Sequence, residues 1–87
     1  MRVDKFLKVS RVIKRRTVAK DACEACRVSI NGRTAKPSSE VHEGDILTVR
    51  FGIKEIVLRV LSTKEYCRKE DVDMMYEILE EDGNEVL

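Results

Sequence analysis

The sequence predicts an α+β fold: two short N-terminal helices packed on a small, mostly antiparallel sheet, with a further helix near the C-terminus. Three observations carry this expectation. Residues 2–10 and 17–26 place apolar and small side chains at helical spacing. Asn31-Gly32, between short alternating runs, is the two-residue signal of a type I′ hairpin, because both central positions need positive φ. Ile46 to Phe51 and Glu55 to Leu61 then alternate apolar and polar residues about the break at Gly52.

In chain order, Val3, Phe6, Leu7 and Ser10 share one side of a helical wheel, with Asp4, Lys5 and Lys8 opposite. Arg11 to Arg16 forms a basic connector in which Val12 and Ile13 anchor to the core. Thr17 is the expected N-cap of a second helix running to about Cys26. Its buried side should be Val18, Ala22 and Ala25, flanked by Ala19, Cys23 and Cys26, with Lys20, Asp21 and Glu24 facing solvent. Small residues there let the first helix approach closely. Arg27 to Ile30 is a short strand, and Pro37 ends its hairpin partner because proline cannot donate to a ladder. Residues 38–45 are turn-rich. On the next strand Leu47, Val49 and Phe51 share a face, and on its partner Ile56, Leu58 and Val60 do. Val72, Met75, Tyr76 and Leu79 at i, i+3, i+4 and i+7 predict an acidic amphipathic helix over about Lys69–Glu81. Asp82 to Leu87 is expected to fray. The division expected is a domain over 1–63 and an acidic helical extension over 64–87.

Eighty-seven residues suit one small core. No apolar run approaches the roughly 20 residues of a membrane span, and no signal-peptide pattern opens the chain. A cytoplasmic protein without membrane contact is expected, and three cysteines, an odd count, suit reduced thiols. The net charge of +1 conceals segregation. Residues 1–36 hold 11 Lys and Arg against 3 Asp and Glu, whereas residues 64–87 hold 3 against 9. A basic face meeting phosphate, kept apart from an acidic end, follows more readily than a uniformly solvated surface.

Other chemistry is weakly signalled. Cys23-Glu24-Ala25-Cys26 has half the spacing of a zinc site or redox pair, but Cys67 and His42 stand apart from it. Packed small hydrophobes are the blander reading of those thiols. His42 sits in a polar turn. Glu80-Glu81 belongs to an acidic surface with no nucleophile or base beside it. Neither an enzyme, a metal nor a cofactor is expected.

The residues Arg2, Asp4, Lys5 and Leu7, then Arg15-Arg16-Thr17, Ala19 and Ala22, then Arg27-Val28, Ile30-Asn31-Gly32, Lys36-Pro37 and Val41-Gly44-Asp45 resemble the S4 RNA-binding domain, whose hallmark is two short helices followed by a hairpin (the αL motif). With KFLKVSRVIKRRTVAK in a short stand-alone chain, the similarity is to the RqcP/YabO type of that family, related to heat shock protein 15. The resemblance implies binding to the large ribosomal subunit through its rRNA and tRNA, in ribosome-associated quality control. There a stalled peptidyl-tRNA is held while an RqcH/NEMF-type partner extends the nascent chain without mRNA. Arg2 and Arg16 match family positions that contact RNA. Around them, Lys5, Lys8, Arg11, Lys14, Arg15, Lys20, Arg27, Asn31, Arg33 and Lys36 complete the expected RNA-binding set on a monomer. One departure is Cys26, where the family usually has glycine. A left-handed residue closing the helix there would strain a cysteine, so either the helix ends differently or the strain is borne. Two other readings stay open: the heat-shock type, which recognises stalled large subunits but carries a longer basic C-terminal extension, and a protein-interaction or redox module using Cys23 and Cys26 or the acidic end. With few aromatic residues and Phe6 expected in the core, a stacking platform for single strands is not expected.

Overall fold

A computed structural model describes residues 1–82; of the stretch expected to fray from Asp82 to Leu87, Asp82 instead ends a paired strand, and 83–87 lie outside the described residues. Two helices, α1 (Val3–Val9) and α2 (Arg16–Glu24), precede five strands: β1 (Val28–Ile30), β2 (Arg33–Thr34), β3 (Ile46–Phe51), β4 (Lys54–Val60) and β5 (Tyr76–Asp82). The strands form one antiparallel sheet in the order β2-β1-β3-β4-β5.

Helix α1 forms because Val3, Phe6 and Leu7 make an apolar stripe that the small Ser10 continues, and all four are fully buried. No side chain caps its start. The free N–H groups of Val3 and Asp4 are taken instead by the carbonyls of Ser39 and Pro37, at 2.7 and 3.3 Å. Val41 returns a bond to the carbonyl of Met1 at 2.8 Å, so Arg2 and Glu40 pair as an isolated bridge. Burying Phe6 and Leu7 contributes roughly 1.5–3 kcal/mol each.

Helix α2 starts one residue before the expected cap. Arg15 holds the extended N-cap conformation with no side-chain cap, and Thr17 lies inside the first turn. Its buried face is also rotated from expectation: Ala19 and Cys23 enter the core, Ala22 is half-buried, and Val18 and Ala25 are exposed. The α1 side chains packed over it are bulky enough that only the smallest α2 positions fit beneath them. The helix ends in a Schellman turn, with Arg27 N–H donating to the Ala22 carbonyl (2.9 Å) and Cys26 N–H to that of Cys23 (3.0 Å). Cys26 adopts φ 61° there, so the strain is borne. A non-glycine side chain in that region costs about 1–2 kcal/mol.

Asn31 and Gly32, at φ 52° and 84°, make the expected hairpin turn between β1 and β2. Strands β3 and β4 form in register from Ile46–Arg59 to Phe51–Lys54, and their inward residues Leu47, Val49, Leu58 and Val60 are buried in the same core as Phe6 and Leu7.

The expected helix over Lys69–Glu81 does not form. Lys69–Met74 is a short 3₁₀ segment, and from Tyr76 the chain becomes β5, pairing with β4. The helical stripe is divided accordingly: Met75 is buried, Val72 and Tyr76 are half-buried, and Leu79 is exposed. The free edge of β4 offers a row of unpaired backbone groups, and satisfying them outweighs a weakly amphipathic acidic helix. Cross-strand charge helps. Arg59 meets Glu77 at 2.6 Å and Lys54 meets Glu81 at 3.5 Å. Met75 and Cys67 join the same core as α1, so the stretch from Cys67 to Tyr76 packs on the common core.

Candidate nucleic-acid interface

The most informative side chain of the basic region is an acid. Asp4 was expected on the solvent side of α1, yet it is 2% exposed. Its two carboxylate oxygens receive different arginines: Arg2 Nη2 donates to Oδ2 at 3.1 Å, and Arg16 Nη2 approaches Oδ1 at 3.4 Å. A buried carboxylate without such partners would be costly. The arrangement also sets the two guanidinium groups side by side at the junction of α1 and α2. Each engages through one nitrogen and stays about half exposed, at 48% and 46%. A guanidinium has five N–H donors, so most remain for a ligand. One carboxylate against two arginines leaves a net positive pair whose planar forks suit phosphate bidentately.

A second group lies where α1 ends. Lys8, Arg11 and Lys14 line a groove of about 460 Å³ together with Val9, Val12 and residues 65–67. Arg11 holds φ 67°, its N–H bonded to the Lys8 carbonyl at 3.0 Å, which turns the chain sharply out of α1. Ile13 N–H then reaches the Leu7 carbonyl, and the Ile13 side chain enters the core. The connector is thereby fixed at both ends, and Lys14 and Arg15 project from it, exposed.

The remaining expected residues are distributed less tightly. Lys20 is exposed on α2. Lys5 is committed to an ion pair with Glu65. Arg27 lies in a different depression, with Arg50 and Phe51. Arg33 lines another, among Asn31, Glu40, His42 and Asp45. Lys36 is exposed beyond β2. The amide of Asn31 is used within the chain, donating to Asp45 Oδ1 (3.1 Å) and accepting from Ile46 N–H (2.9 Å), which ties the hairpin tip to the start of β3. The twelve expected residues therefore make one tight pair, one groove and several outlying cations.

Two side chains of the region escaped sequence reasoning. Arg50, on the strand face opposite Leu47, Val49 and Phe51, lies in one depression with Arg27, and nothing local in its sequence marks it. Tyr66 stands on the wall of the Lys8–Arg11–Lys14 groove. Its anchors, Lys5 and a buried Cys67, are distant in sequence or carry no local pattern.

The thiols differ sharply. Cys23 is buried, and burial, with the carboxylates of Asp4 and Glu24 adding to it, pushes its thiol up to about 11. Cys26 is exposed. Among the described residues no three His, Cys, Asp or Glu side chains gather where they would hold a metal ion. Among the described residues no helix is long and apolar enough to cross a membrane.

Comparison with known proteins places these features in context. Residues 1–47 match the S4 domain family. The chain is 55% identical over 82 residues to the RQC P-site tRNA stabilizing factor of Bacillus subtilis, covering 94% of this chain and 95% of that protein. It is 50% identical to the protein of the same name from Halalkalibacterium halodurans, over 94% and 93% of the two chains. The trimeric Heat Shock Protein 15 of Vibrio cholerae superposes with a TM-score of 0.83 at 30% identity, over 90% of this chain and 80% of the other.

Proposed function

The chain belongs to the S4 domain family, among the small stand-alone proteins of the RQC P-site tRNA stabilizing type, and from that membership we propose how it acts. It binds a large ribosomal subunit that carries a stalled peptidyl-tRNA, touching both large-subunit rRNA and the tRNA. By holding that tRNA it supports C-terminal tailing of the nascent chain by an RqcH/NEMF-type partner, in the cytoplasm and without catalysis of its own.

The observation that carries this reading is the Asp4-centred pair. Phosphate contacts position a protein on folded RNA without reading sequence. Two arginines pre-ordered by one buried carboxylate do that with little side-chain entropy left to lose. The groove cations add a sequence-independent term that weakens with salt. Arg2→Ala and Arg16→Ala should each reduce co-sedimentation with large subunits about tenfold, while urea unfolding loses no more than about 1–2 kcal/mol because the other arginine still meets Asp4. Undiminished co-sedimentation of both folded variants would remove the basis of the proposal.

The similarity to Heat Shock Protein 15 favours a second reading, recycling of stalled large subunits. Deletion separates the two: loss of C-terminal tails on nascent chains, read by mass spectrometry, supports the first, and large subunits accumulating on a sucrose gradient with normal tails support the second. A redox module is disfavoured by the buried, protonated Cys23 thiol. Thiol titration of the native protein at pH 8 should register Cys26 rapidly and Cys23 only on unfolding.

A further inference from the structure

The chain has four aromatic side chains and no tryptophan. Phe6 is buried, and Phe51 and Tyr76 pack against the core. Tyr66 is the exception, at 76% exposure. A single exposed tyrosine is ordinary on a protein surface, so its setting decides. The segment from Leu61 to Arg68 belongs to neither a helix nor a strand, yet Tyr66 is held from both sides. Before it, Glu65 is hydrogen-bonded to Lys5 of α1. After it, Cys67 is buried with its thiol donating to the Arg68 carbonyl at 3.2 Å. The ring therefore projects from a short stretch pinned to the same helix that carries the basic groove, and it lines that groove with Lys8, Arg11 and Lys14.

An aromatic face and a cluster of cations are the two halves of nucleotide recognition: bases stack on the ring, and the backbone follows the charge. RNA-binding proteins capture bases splayed out of loops and bulges in this manner. The carboxylate in the groove, Glu65, does not oppose phosphate as a free charge would. Lys5 bonds it and holds its carboxyl below the usual range.

We propose that the Lys8–Arg11–Lys14 groove is a binding site for one unstacked RNA nucleotide, its base on the Tyr66 ring and its phosphates on the three cations. The proposal rests on the RNA-binding reading above, and it adds a base contact which that reading does not require. An acidic or apolar protein segment is the competing occupant, because the other side of Tyr66 borders a second groove containing Leu61 and the exposed Met74.

Tyr66→Trp installs the chain's one tryptophan, a local reporter of stacking. Titration with a single-stranded RNA hexamer should quench its fluorescence, and adding Arg11→Gln and Lys14→Gln should weaken that titration severalfold or more. Tyr66→Ala should lower affinity for large subunits about tenfold, with Tyr66→Phe retaining most of it. Met74→Ser should change neither. Parental affinity in Tyr66→Ala, while Arg2→Ala loses binding, would overturn the nucleotide site and leave the wider reading standing. Loss in neither would overturn both. Equal loss in Tyr66→Phe and Tyr66→Ala, or loss in Met74→Ser, would assign the surface to a protein partner and overturn the site.

Discussion

The junction of α1 and α2 and the edge strand β5 are both rich in charge, but they treat it oppositely. At the junction two arginines share one buried carboxylate, leaving positive charge in excess and ordered. On β5, Glu77 and Glu81 are each matched to a cation of the neighbouring strand, at Arg59 and Lys54. An unbalanced but braced cluster keeps guanidinium donors free at the surface. A locally balanced one stabilises a strand pairing and, as an acidic sheet edge, discourages further strands from adding. Net charge of +1 averages these two designs away.

The widest separation between them should come from charge removal. Arg11→Gln, Lys14→Gln and Arg15→Gln together should weaken large-subunit binding by roughly a hundredfold. Over a salt titration the slope of log affinity should flatten by about 2–3. Glu77→Gln, Glu80→Gln and Glu81→Gln together should leave binding within about twofold. A comparable loss from the acidic triple would erase the distinction.

Asp4→Asn tests the brace. It preserves shape while removing the charge that holds both arginines, which can regain water because they are half exposed. A loss of about 1–2 kcal/mol in urea unfolding is expected, with binding of the folded protein reduced roughly tenfold. Unchanged binding would mean that the arginines need no ordering.

Relief of backbone strain should be smaller and opposite in sign. Cys26→Gly frees the left-handed position after α2 at some cost in unfolded-chain entropy. A net stabilisation of about 0.5–1 kcal/mol is expected, read as a rise in Tm of roughly 2–8 °C. The weakest effect belongs to the exposed Arg59–Glu77 pair: Glu77→Gln should cost no more than about 0.5 kcal/mol and nothing measurable in high salt.

Much of the fold was legible because it is local. The stripe of α1, the Asn31-Gly32 turn and the alternation of β3 and β4 are periodicities and turn chemistry confined to a few residues. What was not legible depends on distant partners. Asp4 reads as a solvent-facing acid until Arg16, twelve positions on, is brought beside it. Residues 69–81 carry helical spacing, but their conformation is decided by the open edge of β4, which sends no signal through their own sequence. The candidate site was legible at the level of charge, since five of the basic residues named from sequence frame the groove or form the arginine pair. Its aromatic wall was not, because Tyr66 becomes notable through the Lys5–Glu65 contact sixty residues apart.

The non-local closure of α1 carries a consequence for how the molecule is made. Its first two amide groups find acceptors only at Pro37 and Ser39, so a nascent chain leaving the ribosome holds an incomplete first helix until about forty residues have emerged. A peptide ending after α2 should therefore be largely coil by circular dichroism, because seven residues of helix cannot sustain themselves in water. The arginine pair is correspondingly an attribute of the finished hairpin, absent from any shorter intermediate.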